Sequence, residues 1–99
     1  MSKGIVHVVT RVTALPGKEE QIKTILLELM EPTRQEPGCI SYKLLHSRVI
    51  PRDFVLMSEW ESEEYVDQHL DPVHVQEAFL EGGRLLASPP DIRRYQLLA

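Results

Sequence analysis

The hydrophobic positions change their period along the chain, and each change marks an element. Residues 5–14, IVHVVTRVTA, are rich in β-branched side chains and stop at Pro16-Gly17, which reads as a strand followed by a turn. Val6, Val8, Thr10 and Val12 share one face of that strand, and Ile5, His7, Val9 and Arg11 the other. From Lys18 the spacing becomes helical: Ile22, Ile25, Leu26, Leu29 and Met30 fall at i, i+3, i+4, i+7 and i+8. Pro32 is expected to end or kink this helix, because proline lacks a backbone donor and crowds the preceding turn. After the Glu36-Pro37-Gly38 break, Ile40, Tyr42, Leu44 and His46 alternate with Ser41, Lys43, Leu45 and Ser47, which predicts a second strand. The short Ile50-Pro51-Arg52-Asp53 connection predicts a hairpin to a third.

That third strand, Phe54 to Glu61, carries Phe54, Leu56, Ser58 and Trp60 on one face and Val55, Met57, Glu59 and Glu61 on the other. Ser62 is a suitable cap for a helix whose first turn holds Glu63 and Glu64, favourably placed at the positive end of the macrodipole. Tyr65 and His69 share a helix face, as do Val66 and Leu70. Asp71-Pro72 reads as a helix restart, with Val75, Ala78 and Phe79 as its apolar stripe and Gly82-Gly83 loosening it. Ser88-Pro89-Pro90 precedes a last strand expected over Asp91 to Leu98. The order strand, helix, strand, strand, helix, strand is the split βαβ pattern of a ferredoxin-like α+β domain, a four-stranded antiparallel sheet with helices on one face. One face of such a sheet stays uncovered by helices although both faces carry apolar groups, so a second copy of the chain is expected to cover it.

Composition narrows the possible functions. A chain of 99 residues is one domain, 1–99, with room for a two-layer core. The net charge of −4 and the scattered Lys and Arg give no footprint for nucleic acid. A single cysteine, Cys39, excludes an internal disulfide and a cysteine-rich zinc site, and points to a reducing cytoplasm. No stretch is long and apolar enough to span a membrane. There is no phosphate loop, nucleophile elbow or dinucleotide fingerprint, and His69 and His74 do not sit at a metal-ligand spacing.

Candidate chemistry concentrates between Phe54 and His74, where an acid, an indole, a phenol and two imidazoles come close in sequence. An imidazole titrates near neutral pH, so His69 beside Tyr65 is compatible with a general base, and equally with a packed pair at the core edge. Trp60 can line an apolar pocket or fill the core. On a regular strand Glu59 points away from Trp60, and its alternative role is an ion pair at a subunit contact, with an arginine such as Arg11 as its partner.

These residues resemble the antibiotic-biosynthesis-monooxygenase-like domains, dimeric α+β barrels that include cofactor-free quinol monooxygenases and autoinducer-degrading proteins. The resemblance rests on the strand ending in Pro16-Gly17-Lys18, on Glu36-Pro37-Gly38-Cys39, on Glu59-Trp60-Glu61-Ser62, on His69-Leu70 followed by His74, and on Pro89-Pro90. It implies a pocket between sheet and helices with Trp60, Leu56 and Ser58 on its floor and Tyr65 or His69 above. It further implies His69 as the base, Trp60 and Tyr42 holding an aromatic ring, and Glu59 and His74 among the substrate-binding groups. The implied reaction inserts oxygen from dioxygen into a small quinol or phenol in a homodimer, with neither metal nor flavin. Two departures stand out. The chain contains no asparagine, on which haem-degrading and polyketide-oxidising members lean, and Pro72-Val73 stands where quinol and autoinducer relatives have Thr-Pro before the second histidine. An isomerase or lyase acting on a small sugar-like signal, and a non-catalytic ligand-binding dimer, remain as alternatives.

Overall fold

The structure, a computed structural model, describes residues 4–70 and 83–99. The predicted helix restart at Asp71-Pro72, with Val75, Ala78 and Phe79, lies outside the described residues. The elements are β1 (Val6–Thr13), α1 (Glu19–Arg34), β2 (Cys39–His46), β3 (Asp53–Trp60), α2 (Glu63–Leu70) and β4 (Asp91–Gln96). The strands form one antiparallel sheet in the order β2-β3-β1-β4, the ferredoxin-like arrangement expected from the element order.

Alternation along the strands decides which face the helices cover. Val6, Val8 and Val12 of β1, Phe54, Leu56 and Trp60 of β3, and Tyr42 of β2 are all buried on the inner face. Opposite them α1 presents Ile22, Leu26, Leu29 and Met30, and α2 presents Val66. Each such aliphatic or aromatic side chain contributes about 1.5–3 kcal/mol on leaving water. The core has two lobes, one under α1 and one under α2, and Cys39 packs against both.

Polar clasps hold the helices at their heights. Arg34, in the last turn of α1, donates from Nε (3.2 Å) and Nη2 (2.9 Å) to the carbonyl of Tyr42. Arg94 reaches from β4 to Glu63 Oε1 (2.7 Å) and Asp67 Oδ1 (2.8 Å), two acids four residues apart on α2.

Three sequence expectations are corrected. α1 does not end at Pro32 but runs to Arg34: the proline forfeits only its own bond to the Glu28 carbonyl, and the ladder continues past it, the Gln35 N–H donating to the carbonyls of Glu31 and Pro32. β2 contains a register shift between Cys39 and Ser41 that leaves Ile40 as an extra residue. Cys39 therefore pairs with Trp60 and Tyr42 with Ser58, while Ile40, expected to share the face of Tyr42, stays exposed. β4 stops at Gln96, whose partner Val6 is the first residue of β1, so Leu97 and Leu98 extend past the last rung.

On the outer face Arg11 forks onto Asp53 through Nε (3.0 Å) and Nη2 (2.8 Å), and the Thr13 hydroxyl adds a longer bond at 3.2 Å. These hydrogen bonds, Arg11 first, hold the Asp53 carboxyl below the usual carboxylate range. Beside this pair Leu45, Met57 and Tyr95 are exposed, and Val9 and Val55 are half-buried.

Candidate active site

The site is assembled at the end of the sheet where β3 hands over to α2. Glu61 donates its backbone N–H to the carbonyl of Gly38, and α2 begins at Glu63. The Ser62 hydroxyl accepts from the Tyr65 N–H at 3.5 Å, a long version of the expected cap. Two turns later His69 points into the protein and is only 6% exposed.

Among the described residues, Trp60, Tyr42 and Glu36 contact the imidazole. Trp60 stacks on it, with ring centroids 4.5 Å apart and planes inclined by 27°. Tyr42 meets it edge-on at 5.8 Å and 74°. Glu36, from the connection between α1 and β2, brings Oε1 to 3.1 Å from Nδ1. Trp60 is itself oriented, because its indole N–H donates to Ser58 Oγ at 2.9 Å. Burial is the main reason the Tyr42 phenol is pushed up to about 12; Glu36 and Cys39 reinforce the shift. The Thr33 hydroxyl opposes it, although Thr33 Oγ1 has no hydrogen-bond partner of good geometry. Tyr42 is thus a neutral phenol at physiological pH. Burial also raises the Cys39 thiol, which is not a thiolate there.

The α1–β2 connection is shaped to deliver Glu36. The Glu36 N–H bonds the Thr33 carbonyl at 3.0 Å, and the Cys39 N–H bonds the Glu36 carbonyl at 3.2 Å. Gly38 lies at φ +82°, a conformation that L side chains rarely adopt. A methyl group at Gly38 would overlap Tyr65 Cγ and Cδ2 and lie 2.7 Å from Tyr65 Cβ. The Tyr65 ring is seated on this glycine, so the helix bearing His69 rests directly on the turn bearing Glu36.

The structure brings together His69, Trp60, Tyr42 and Ser58, with Leu56 next on the same sheet face and Tyr65 one turn back on α2. Glu59 does not join them. It lies on the outer face, where Ser41 Oγ donates to Oε1 at 2.9 Å and His7 Nδ1 stands 3.6 Å from Oε2. The strand is regular there, so neighbours Glu59 and Trp60 point to opposite sides. The anticipated Arg11–Glu59 pair is replaced by Arg11–Asp53. His74 lies outside the described residues. Trp60 has no exposed surface, so it supports the imidazole from beneath, and the 4.5 Å stack leaves no room for another ring between them. Glu36 is the contact that sequence reasoning missed, since an acid before Pro37-Gly38 looks like ordinary turn chemistry. Among the described residues no cluster of His, Cys, Asp and Glu is suited to a metal ion, and no helix is long and apolar enough to cross a membrane.

Among known proteins, an uncharacterized protein of Synechocystis is 29% identical over an 82-residue stretch, covering 83% of this chain and 56% of that one, so the chain spans little more than half of that relative. The chain is 28% identical over 82 residues to "Putative monooxygenase YcnE" of Bacillus subtilis, covering 83% of this chain and 86% of that protein. The solved structure of Rv0793 from Mycobacterium tuberculosis superposes with a TM-score of 0.89 at 27% identity, covering 97% of each chain. The family model described as antibiotic biosynthesis monooxygenase matches residues 5–80, most of the chain and every element of the site, and the chain belongs to that family.

Proposed function

We propose that this protein is a monooxygenase acting on a small quinol or similarly electron-rich phenol, with His69 as the general base. The observation that carries this reading is the buried imidazole of His69, stacked on Trp60 and hydrogen-bonded through Nδ1 to Glu36. A base positioned in this way accounts for a rate factor of about 10²–10⁴. The small exposed part of His69, set against none for Trp60, supports a substrate that reaches the imidazole rather than the indole. His69 takes a phenolic proton there. The electron-rich ring passes electrons to dioxygen, a peroxide forms at a ring carbon, and loss of water leaves a hydroxylated quinone. One quinol and one dioxygen thus give one hydroxyquinone and one water. Orientation and exclusion of bulk water are the protein's contribution.

The reading includes a homodimer. Leu45, Met57 and Tyr95 on the outer sheet face form an apolar surface of the kind that a second copy buries. A groove of about 710 Å³ lined by Leu27, Met30, Leu44, Leu45 and Met57, with the cations Arg34 and Lys43, adjoins that surface at the β2 edge.

The test is oxygen uptake by metal-stripped protein with a panel of reduced quinones, beside His69→Ala. Wild-type turnover with loss of 100-fold or more in the variant is expected. Uptake equal to the protein-free control across the panel overturns the reading. Sedimentation is expected to give twice the 11.4 kDa chain mass, and a stable monomer at micromolar concentration removes the dimer.

A further inference from the structure

We infer that Glu36 is the positioning residue for His69: it holds the proton of the imidazole on Nδ1 and thereby directs the basic lone pair of Nε2 away from the α1–β2 turn. The inference rests on the reading of His69 as a base, but its physical content is independent of any substrate. A carboxylate offers acceptors only, so a ring nitrogen 3.1 Å from Glu36 Oε1 must donate to it. In a neutral imidazole the tautomer is decided by the partner of one nitrogen, and the other nitrogen then carries the lone pair.

Four features of the structure make this assignment specific. Both partners are enclosed, with side-chain exposures of 7% for His69 and 14% for Glu36, so the contact is poorly screened. The ring cannot rotate out of it freely, because Trp60 covers one face at 4.5 Å and Tyr42 abuts the edge. The turn cannot drift away, because Arg34 clasps β2 just before it and Gly38 lies against Tyr65 just after it. Tyr42, the titratable ring packed against His69, is neutral near pH 7, and Glu36 brings a carboxylate to the imidazole. A charge so placed also stabilises the imidazolium that forms when Nε2 takes a proton.

The experiment is nitrogen-15 NMR of the histidine rings in the full chain without substrate, the His69 signals being assigned by their loss in His69→Gln. Wild-type His69 is expected to show a protonated Nδ1 and a bare, pyridine-like Nε2 in its neutral form. Glu36→Gln keeps an acceptor of the same shape without the charge, so the same tautomer is expected, with a titration midpoint lowered tenfold or more in proton affinity. Glu36→Ala is expected to lose the Nδ1–H preference. A wild-type ring protonated on Nε2, or a midpoint that does not move in Glu36→Gln, overturns the inference. Because the wild-type tautomer is read directly, the test holds even if a variant folds poorly. Because no substrate is present, a negative oxygen-uptake result leaves it intact, and an overturned tautomer leaves the oxygen-uptake test to decide the reaction separately.

Discussion

Replacing Gly38 by alanine tests the central piece of this architecture, the seat of α2 on the α1–β2 turn. Two costs arise. The backbone stands at φ +82°, where a side chain with a Cβ costs roughly 1–2 kcal/mol. The added methyl also collides with the root of the Tyr65 side chain at Cγ and Cδ2, a part that cannot swing away without a change of rotamer or a shift of the helix. Overpacking of that kind costs about 1–3 kcal/mol. Against these, alanine reduces the freedom of the unfolded chain and returns about 0.4–1 kcal/mol. The net expectation is a loss of about 1–4.5 kcal/mol, a large share of the stability of a domain this small. Urea unfolding of wild type, Gly38→Ala, Tyr65→Ala and the double variant closes a thermodynamic cycle. The part of the collision made by the ring atoms Cγ and Cδ2 is expected to vanish in the double variant, giving a coupling of up to about 1–3 kcal/mol, while the contact with Cβ at 2.7 Å and the backbone share persist. A Gly38→Ala variant within about 0.5 kcal/mol of wild type, or a cycle with no coupling, would refute the seating of Tyr65 on Gly38.

Two further outcomes follow from the site. Folding raises the Tyr42 phenol from its ordinary value near 10 to about 12, so the folded state holds that proton more tightly than the unfolded chain does. Its contribution is complete below about pH 10 and is lost as pH rises toward 12, a loss of roughly 2–3 kcal/mol in all; unfolding midpoints of wild type and Tyr42→Phe across that window check it, and parallel alkaline losses in the two proteins contradict it. Ser58→Ala removes the acceptor of the buried Trp60 indole N–H and is expected to cost about 1–3 kcal/mol in thermal or urea unfolding, whereas a neutral result would mean that the indole finds another partner.

Local chemistry made much of this protein legible before any coordinates. The β-branched run of β1, the i, i+3, i+4 stripe of α1 and the strict alternation of β3 each follow from side chains within a few residues of one another, and they suffice to identify elements, the residues that share a face and the ferredoxin-like order, but not which strand face the helices cover, since both carry apolar groups. The same short-range logic placed Tyr65 and His69 on one face of α2, and Glu59 opposite Trp60. Other features depend on contacts between distant parts of the chain. Nothing in the pattern of β2 announces that Ile40 is an extra residue, because a bulge is decided by how two strands meet. Arg11 takes Asp53 because their registers on β1 and β3 make the carboxylate a diagonal neighbour. The Glu36–His69 contact joins residues 33 apart in sequence, across a helix end, a hairpin and a second helix. Periodicity reports only which side of its own element a residue occupies. Which acid reaches an imidazole is decided by how a sheet, a glycine turn and a helix pack together in space.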